Sequence, residues 1–268
     1  MKTIKDQIGR EIVIKHTPKR IVSLVPSQTE LLCDLALENE LVGVTKFCVH
    51  PFHLKSTKTI VGGTKKVDFD KIRALNPDFI VGNKEENTYA LLPELEKIAP
   101  TYYSDVKSIQ DCLNLIFELG MVLGRRTESS NLIDKLHFKL NDFNEFIKTK
   151  EPKKVAYFIW ANPWMVAGNS TFINELLQLN KFTNIYGDLD SYPKVELNRI
   201  RHEGDPEVVF LSSEPYKFND AHAFEIGTYA NRSTTVFVNG EFFSWYGSRL
   251  LKAFDYFKQL HKRLESRF

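Results

Sequence analysis

The chain has 268 residues, of which 43% are hydrophobic and 26% charged, a balance that supports a substantial core and excludes a disordered or collagen-like polymer. Its 36 basic and 34 acidic residues are interspersed and leave a formal charge of +2, so no field suited to nucleic acid or an anionic membrane surface follows. The length suits one large or two medium domains.

The N-terminal stretch carries Lys2, Lys5, Asp6, Arg10 and Glu11 without an apolar run, so it lacks the hydrophobic region of a signal peptide, and no later stretch is apolar for long enough to span a bilayer. The expectation is a cytoplasmic protein or an exported one written without its leader. Cys33, Cys48 and Cys112 show no CxxC spacing, which argues against a disulfide scaffold and a structural zinc site. Cys33 and Cys112 read as small buried hydrophobes.

In chain order, the first strong signal is the apolar run Ile21-Val22-Ser23-Leu24-Val25 behind the basic pair Lys19-Arg20, the pattern of a buried strand. Ser27-Gln28-Thr29-Glu30 follows with the spacing of a capping box. A strand end meeting a helix start is where open α/β sheets receive ligands, so Ser27 and Gln28 are candidate contacts. Phe47-Cys48-Val49-His50-Pro51, Gly62-Gly63-Thr64-Lys65-Lys66 and Gly82-Asn83-Lys84-Glu85-Glu86-Asn87 then supply aromatic, amide and charged groups in loops. From these come the candidates Phe47, Cys48, Lys65, Lys66, Asn83 and Lys84, suited to a ligand whose rim carries amides, carboxylates or phosphate. The three lysines also read as solvated loop charge. Between the last two loops, Phe69 to Leu75 forms a short amphipathic helix stopped at Pro77, with a strand from Phe79.

After a further strand at Thr101-Tyr102-Tyr103, residues 108–150 contain no proline, and Leu132, Leu136, Leu140, Phe143 and Ile147 recur at helical spacing. A helix over about 127–149 would exceed roughly 30 Å, enough to join two lobes stiffly. The first pattern then repeats: Lys153-Lys154 precede a strand through Ile159, Glu175-Leu176-Leu177 echoes Glu30-Leu31-Leu32, and Leu197 to Phe210 parallels Phe69 to Val81 up to the strand after a proline. Thr235 to Val238 is the last strand. The expected fold is α/β, with two Rossmann-like lobes of parallel sheet joined by one long rigid helix and a ligand cleft between them. The lobes are residues 1–125 and 151–268, with residues 126–150 as the connecting backbone helix.

All three tryptophans fall in two loops of the second half, Trp160 to Ser170 and Phe242 to Arg249. Each aromatic side chain there can cover roughly 150–250 Å² of a ligand, which nominates Trp160, Asn162, Trp164, Phe243, Trp245 and Tyr246. Cys48 and His50 alone are an incomplete metal site, so no metal ligand is assigned, although a metal-ion receptor stays open. HExxH, P-loop and GxSxG patterns are absent. An enzyme is therefore not expected, the alternative being a two-Rossmann-lobe enzyme such as a glycosyltransferase.

The stretch Pro18 to Glu30, Val42-Gly43-Val44-Thr45 with Pro51, Val61-Gly62-Gly63 and Ile72 to Asp78 resembles the helical-backbone metal-chelate receptors. These are substrate-binding proteins of ABC importers for cobalamin, iron-siderophores and haem. The resemblance covers nearly the whole chain and is strongest to the cobalamin-binding branch, where Asn162-Pro163, Tyr192-Pro193 and the loop at Trp245 fall at ligand-facing positions. It implies a monomer that captures cobalamin or another metal chelate without catalysis or a covalent cofactor, iron-siderophore or haem being the alternatives. It adds Tyr192 to the ligand set and implies a periplasmic or cell-envelope location. It also implies docking onto an ABC permease through an acid on each lobe, Asp70 in the first and Glu196 in the second.

Overall fold

The computed structural model describes residues 2–266, which divide into two compact units. The boundary falls between Phe138 and Lys139, and Trp245–Leu251 groups with the first unit, so that neither unit is one continuous segment.

The first unit opens with an antiparallel hairpin, β1 (Lys2–Lys5) and β2 (Glu11–Ile14). There follow β3 (Ile21–Ser23), α1 (Pro26–Asp34), β4 (Leu41–Val44), α2 (Leu54–Thr57), β5 (Thr59–Ile60) and α3 (Phe69–Ala74). Then come β6 (Phe79–Asn83), α4 (Leu92–Glu96), β7 (Thr101–Ser104), α5 (Ile109–Val122) and α6 (Arg126–Lys148). The five strands after the hairpin form a parallel sheet in the order β5-β4-β3-β6-β7. Every residue of β3, β6 and β7 is buried, as a sheet covered on both faces requires. Val22, Leu24, Val61, Ile72, Ile80, Leu95 and Tyr103 share one core.

Local chemistry sets the joints. A Cβ on Gly43 would lie 2.7 Å from Leu75 Cδ1 and 3.0 Å from Val61 Cγ1, so a larger residue there must push these side chains aside where β4 packs under α3. Behind α3, Asn76 takes φ 44° ahead of Pro77, and the Asp78 carboxylate accepts from the amides of Lys19 (2.9 Å) and Arg20 (2.8 Å). That carboxylate pins the starts of β3 and β6 together. Helix α5 starts at a reciprocal capping box between Ser108 and Asp111. By contrast, the capping box expected of Ser27 and Glu30 does not form. Val25 is the N-cap and makes no side-chain cap, Pro26 occupies the first turn, and Ser27 sits inside the helix, where its hydroxyl cannot cap. The Glu30 carboxylate binds Arg249 instead.

Helix α6 has 23 residues, about 34 Å of axis, as the heptad-like apolar spacing foretold. The second unit continues with β8 (Lys153–Trp160), β9 (Met165–Val166), α7 (Phe172–Leu179), β10 (Phe182–Asn184) and β11 (Val208–Ser212). It ends with α8 (Asp220–Tyr229), β12 (Thr234–Val238), α9 (Glu241–Ser244) and α10 (Leu250–Glu265), whose first two residues belong to the first unit. Its parallel strands run β10-β8-β11-β12, with β9 added antiparallel to β8. One face packs Phe158, Val166, Val209, Leu211 and Ile226 together. Against the other, Phe143, Tyr157, Phe210, Phe243 and Phe257 form a run of rings with centroids 4.9–6.3 Å apart. The helix expected after Leu197 is only a 3₁₀ turn, Leu197–Arg199, because Gly204 at φ 157° and Asp205 at φ 47° turn the chain into β11. No helix among the described residues is long and apolar enough to cross a membrane.

Candidate functional site

Each sheet has a point where successive connections leave toward opposite sides, and in open α/β sheets ligands are received there, at the carboxyl ends of the strands. In the first unit it lies between β3 and β6, in the second between β8 and β11.

At the first switch point, α1 begins directly after β3 and sets Gln28 over the ends of β6 and β7. Its side chain is fully buried, and its Nε2 reaches Gly82 O at 3.2 Å, Ser104 Oγ at 2.6 Å and Tyr246 Oη at 3.1 Å. Gln28 Oε1 has no hydrogen-bond partner among the described residues. Asn83, at the end of β6, donates from Nδ2 to Ser104 Oγ (2.9 Å), while its Oδ1 accepts from the amides of Glu85 and Glu86 at 2.8 and 3.0 Å. The Asn83 amide in turn donates to Asn87 Oδ1, and Asn87 Nδ2 donates to Thr64 O at 2.8 Å, tying the two polar loops together. Burial pushes the Tyr246 phenol well above its usual value, against the hydrogen bonds from Ser104, Gln28 and Ser27. Gln28, Asn83 and Tyr246 are thus one buried polar layer beneath this edge.

Segment Trp245–Leu251 is fastened to that layer. Arg249 Nε and Nη2 donate to the two Glu30 oxygens at 2.7 and 2.9 Å, with 5% and 8% of the side chains exposed. The guanidinium lies 4.9 Å from the Trp245 ring, which His50 meets edge-on at 5.5 Å. The Gly247 amide donates to Cys112 Sγ, so Cys112 is packed as expected while Cys33 is only partly buried. Cys48 is fully buried between the hydroxyls of Thr29 (3.0 Å) and Thr45 (3.3 Å), and burial raises its thiol pKa. It therefore offers no sulfur at the surface, and no group of three or more metal-ligating side chains occurs among the described residues.

The exposed rim of the first unit is more aromatic than the sequence suggested: Phe47, Phe52 and Tyr89 all stand largely free, with Lys46 Nζ 5.0 Å from the Phe47 ring. Lys65 donates to Glu85 O, Lys84 pairs with Asp105 at 2.8 Å, and Lys66 is exposed. Two of these lysines are committed to neighbouring loops.

In the second unit, Trp160 ends β8 with 39% of its surface exposed and its ring 5.1 Å from Tyr216, in the loop after β11. Asn162 is exposed at φ 58°. Trp164, four residues beyond Trp160, turns into the core instead. It meets Phe158 edge-on, stacks on Phe218 and donates from Nε1 to Glu225 at 3.3 Å. Phe243 is likewise fully buried, in the face covered by α10. Tyr192 is half-buried in a strap whose backbone pairs with β9 and Gly168, where a Cβ would meet Leu189 O at 2.1 Å.

Asp70 is 93% exposed at the start of α3 and pairs with Arg73 at 2.7 Å. Glu196 is exposed and is the N-cap of the 3₁₀ turn. Counting back from the buried Ile72 and Ile200, Glu196 corresponds to the α3 N-cap Asp68, and Asn198 to Asp70. Tyr216, Ser104, Asn87 and Arg249 were missed in the sequence; Arg249 ends an aromatic loop, whereas Ser104 carries no local signal at all.

Residues 21–228 match the family model for periplasmic binding proteins. The chain belongs to that family. Among curated relatives it is 27% identical over 194 residues to a Bacillus subtilis protein described as an uncharacterized ABC transporter substrate-binding lipoprotein, YvrC. The match spans 69% of this chain but only 61% of that relative. The vitamin B12-binding protein of Yersinia pseudotuberculosis is 23% identical over 208 residues, covering 77% of this chain and 74% of the relative. The periplasmic vitamin B12-binding protein BtuF of Vibrio cholerae shares the fold with a TM-score of 0.79 at 20% identity, over 93% of this chain and 98% of that one.

Proposed function

We propose that the chain is the substrate-binding component of an ABC-type importer and captures a metal-chelate ligand, cobalamin or another corrinoid first, without catalysis. The observation that carries this reading is that exposed aromatic rings stand where strands end in both units, Phe47 in the loop after β4 and Trp160 at the end of β8, with Trp245 packed against His50 and Arg249 in the first unit. A conjugated macrocycle is held by such surfaces, each ring contributing on the order of 1–3 kcal/mol before ordering costs are subtracted. Gln28, Asn83 and Tyr246 support the first edge from beneath, and Asn162 and Tyr192 border the second. Against a siderophore, whose receptors in the resembling family often use arginine pairs, Arg249 is already bound by Glu30.

Calorimetry with cobalamin, cobinamide, haem and a ferric siderophore tests the reading. One corrinoid per chain is expected, with binding lost in Trp160→Ala/Trp245→Ala; failure of all four ligands refutes it. Absorbance of protein purified from its native host identifies the ligand independently, since these chelates differ in the visible.

The partner of this reading is a membrane permease, met by the exposed Asp70 and Glu196, and the location is the cell envelope, with the protein acting as a monomer. The Asp70→Arg/Glu196→Arg variant should bind ligand normally and fail to support uptake. Full uptake by that variant removes the docking assignment.

A further inference from the structure

We infer that Tyr216 donates a hydrogen bond to the ligand from the second unit, held in place by His222, and that Trp160 and Tyr216 together form the ledge on which a planar ligand rests. The inference deepens the reading above and rests on it.

The geometry begins at helix α8. Its N-cap Asn219 accepts from the amides of Ala221 (3.1 Å) and His222 (3.3 Å), and the Asn219 amide donates back to His222 Nδ1 at 3.1 Å. This is a capping box with histidine in the place usually held by Glu or Gln. Because Nδ1 receives a hydrogen, the proton of the neutral imidazole sits on Nε2. That nitrogen lies 2.9 Å from Tyr216 Oη. Histidine is therefore the donor and the phenol oxygen the acceptor, which leaves the phenol's own hydrogen to be given elsewhere. No acceptor for it is found among the described residues.

The imidazole cannot swing away, since Trp164, Tyr216 and Phe218 meet it edge-on with centroids 6.0, 5.3 and 5.6 Å distant. Tyr216 in turn packs on Phe218 at 4.9 Å and on the exposed Trp160 at 5.1 Å. Trp160 ends β8 and Tyr216 follows β11, so the pair straddles the switch point of the second sheet. The ligand chemistry that fits is a flat conjugated chelate bearing a peripheral amide carbonyl or carboxylate. The ring lies on the ledge and the acceptor takes the phenol hydrogen.

Titration calorimetry with cobalamin and with haem, on the full chain, tests this. Tyr216→Phe keeps the ring and should weaken binding about five- to tenfold, and Trp160→Ala by about tenfold or more. His222→Gln preserves the helix cap while removing the imidazole; it should weaken binding as Tyr216→Phe does and add nothing in the double variant, because it acts only through Tyr216. Wild-type binding with unchanged affinity in Tyr216→Phe and Trp160→Ala overturns the ledge but leaves the proposed function standing. Additive losses in the Tyr216→Phe/His222→Gln pair overturn the role of His222. A wild-type chain that binds neither chelate overturns both.

Discussion

Removing one partner of the Glu30–Arg249 pair should be among the most damaging single changes at the first unit's edge. The bidentate bonds of 2.7 and 2.9 Å join side chains only 5% and 8% exposed, and the Trp245 ring lies 4.9 Å from the guanidinium. An uncompensated charge left in such a place costs about 3–5 kcal/mol, and the lost cation–ring contact about 0.5–2 kcal/mol more. Glu30→Leu and Arg249→Met should each show that loss in urea unfolding, whereas Glu30→Leu/Arg249→Met, leaving no buried charge, should recover at least half. Trp245 is the first unit's tryptophan, so in a Trp160→Phe/Trp164→Phe background its fluorescence follows that unit alone. Additive losses in the double variant, or singles costing under about 1 kcal/mol, would refute the reasoning.

Three further outcomes are expected. Gly43→Ala forces a methyl to within 2.7 Å of Leu75 and should lower stability by about 1–3 kcal/mol in denaturant titration, with the fold retained by circular dichroism. Burial, with help from Lys150, depresses His261 from about 6.5 to about 4. The unfolded chain then binds a proton that the folded one refuses, so stability present above pH 6.5 is lost as pH falls toward 4, by at most about 3 kcal/mol. His261→Phe should flatten that stretch of the stability–pH profile. Ser108→Ala, which removes one half of the α5 capping box, should cost about 0.5–2 kcal/mol in thermal or chemical unfolding.

Elements whose pattern is local were legible in the sequence. The buried runs of β3, β6, β8 and β11 read correctly because a sheet covered on both faces needs continuous apolar residues, and α6 because its apolar spacing runs uninterrupted. The Ser27–Glu30 spacing misled because a capping box is defined by backbone position, and with Pro26 in the first turn the helix starts two residues earlier. Trp160 and Trp164 are alike in composition and loop, yet one is exposed and the other core. Their difference comes from Phe218 and Glu225, contributed by a segment more than fifty residues away, which no local pattern carries. Tyr216 was passed over for the same reason, since its use depends on His222 and Trp160.

The placement of Trp245–Leu251 bears on how the protein is made. Glu30 and Arg249 stand 219 positions apart, and the amide that meets Cys112 is 135 positions downstream of it. A ribosome feeding out this chain therefore releases the first sheet long before the piece that seals its edge. Until that late segment arrives, the Glu30 carboxylate and the Gln28 layer face water. A pause before that segment leaves the ribosome would hold the nascent protein in that unsealed state, and a chaperone that delays closure would act there.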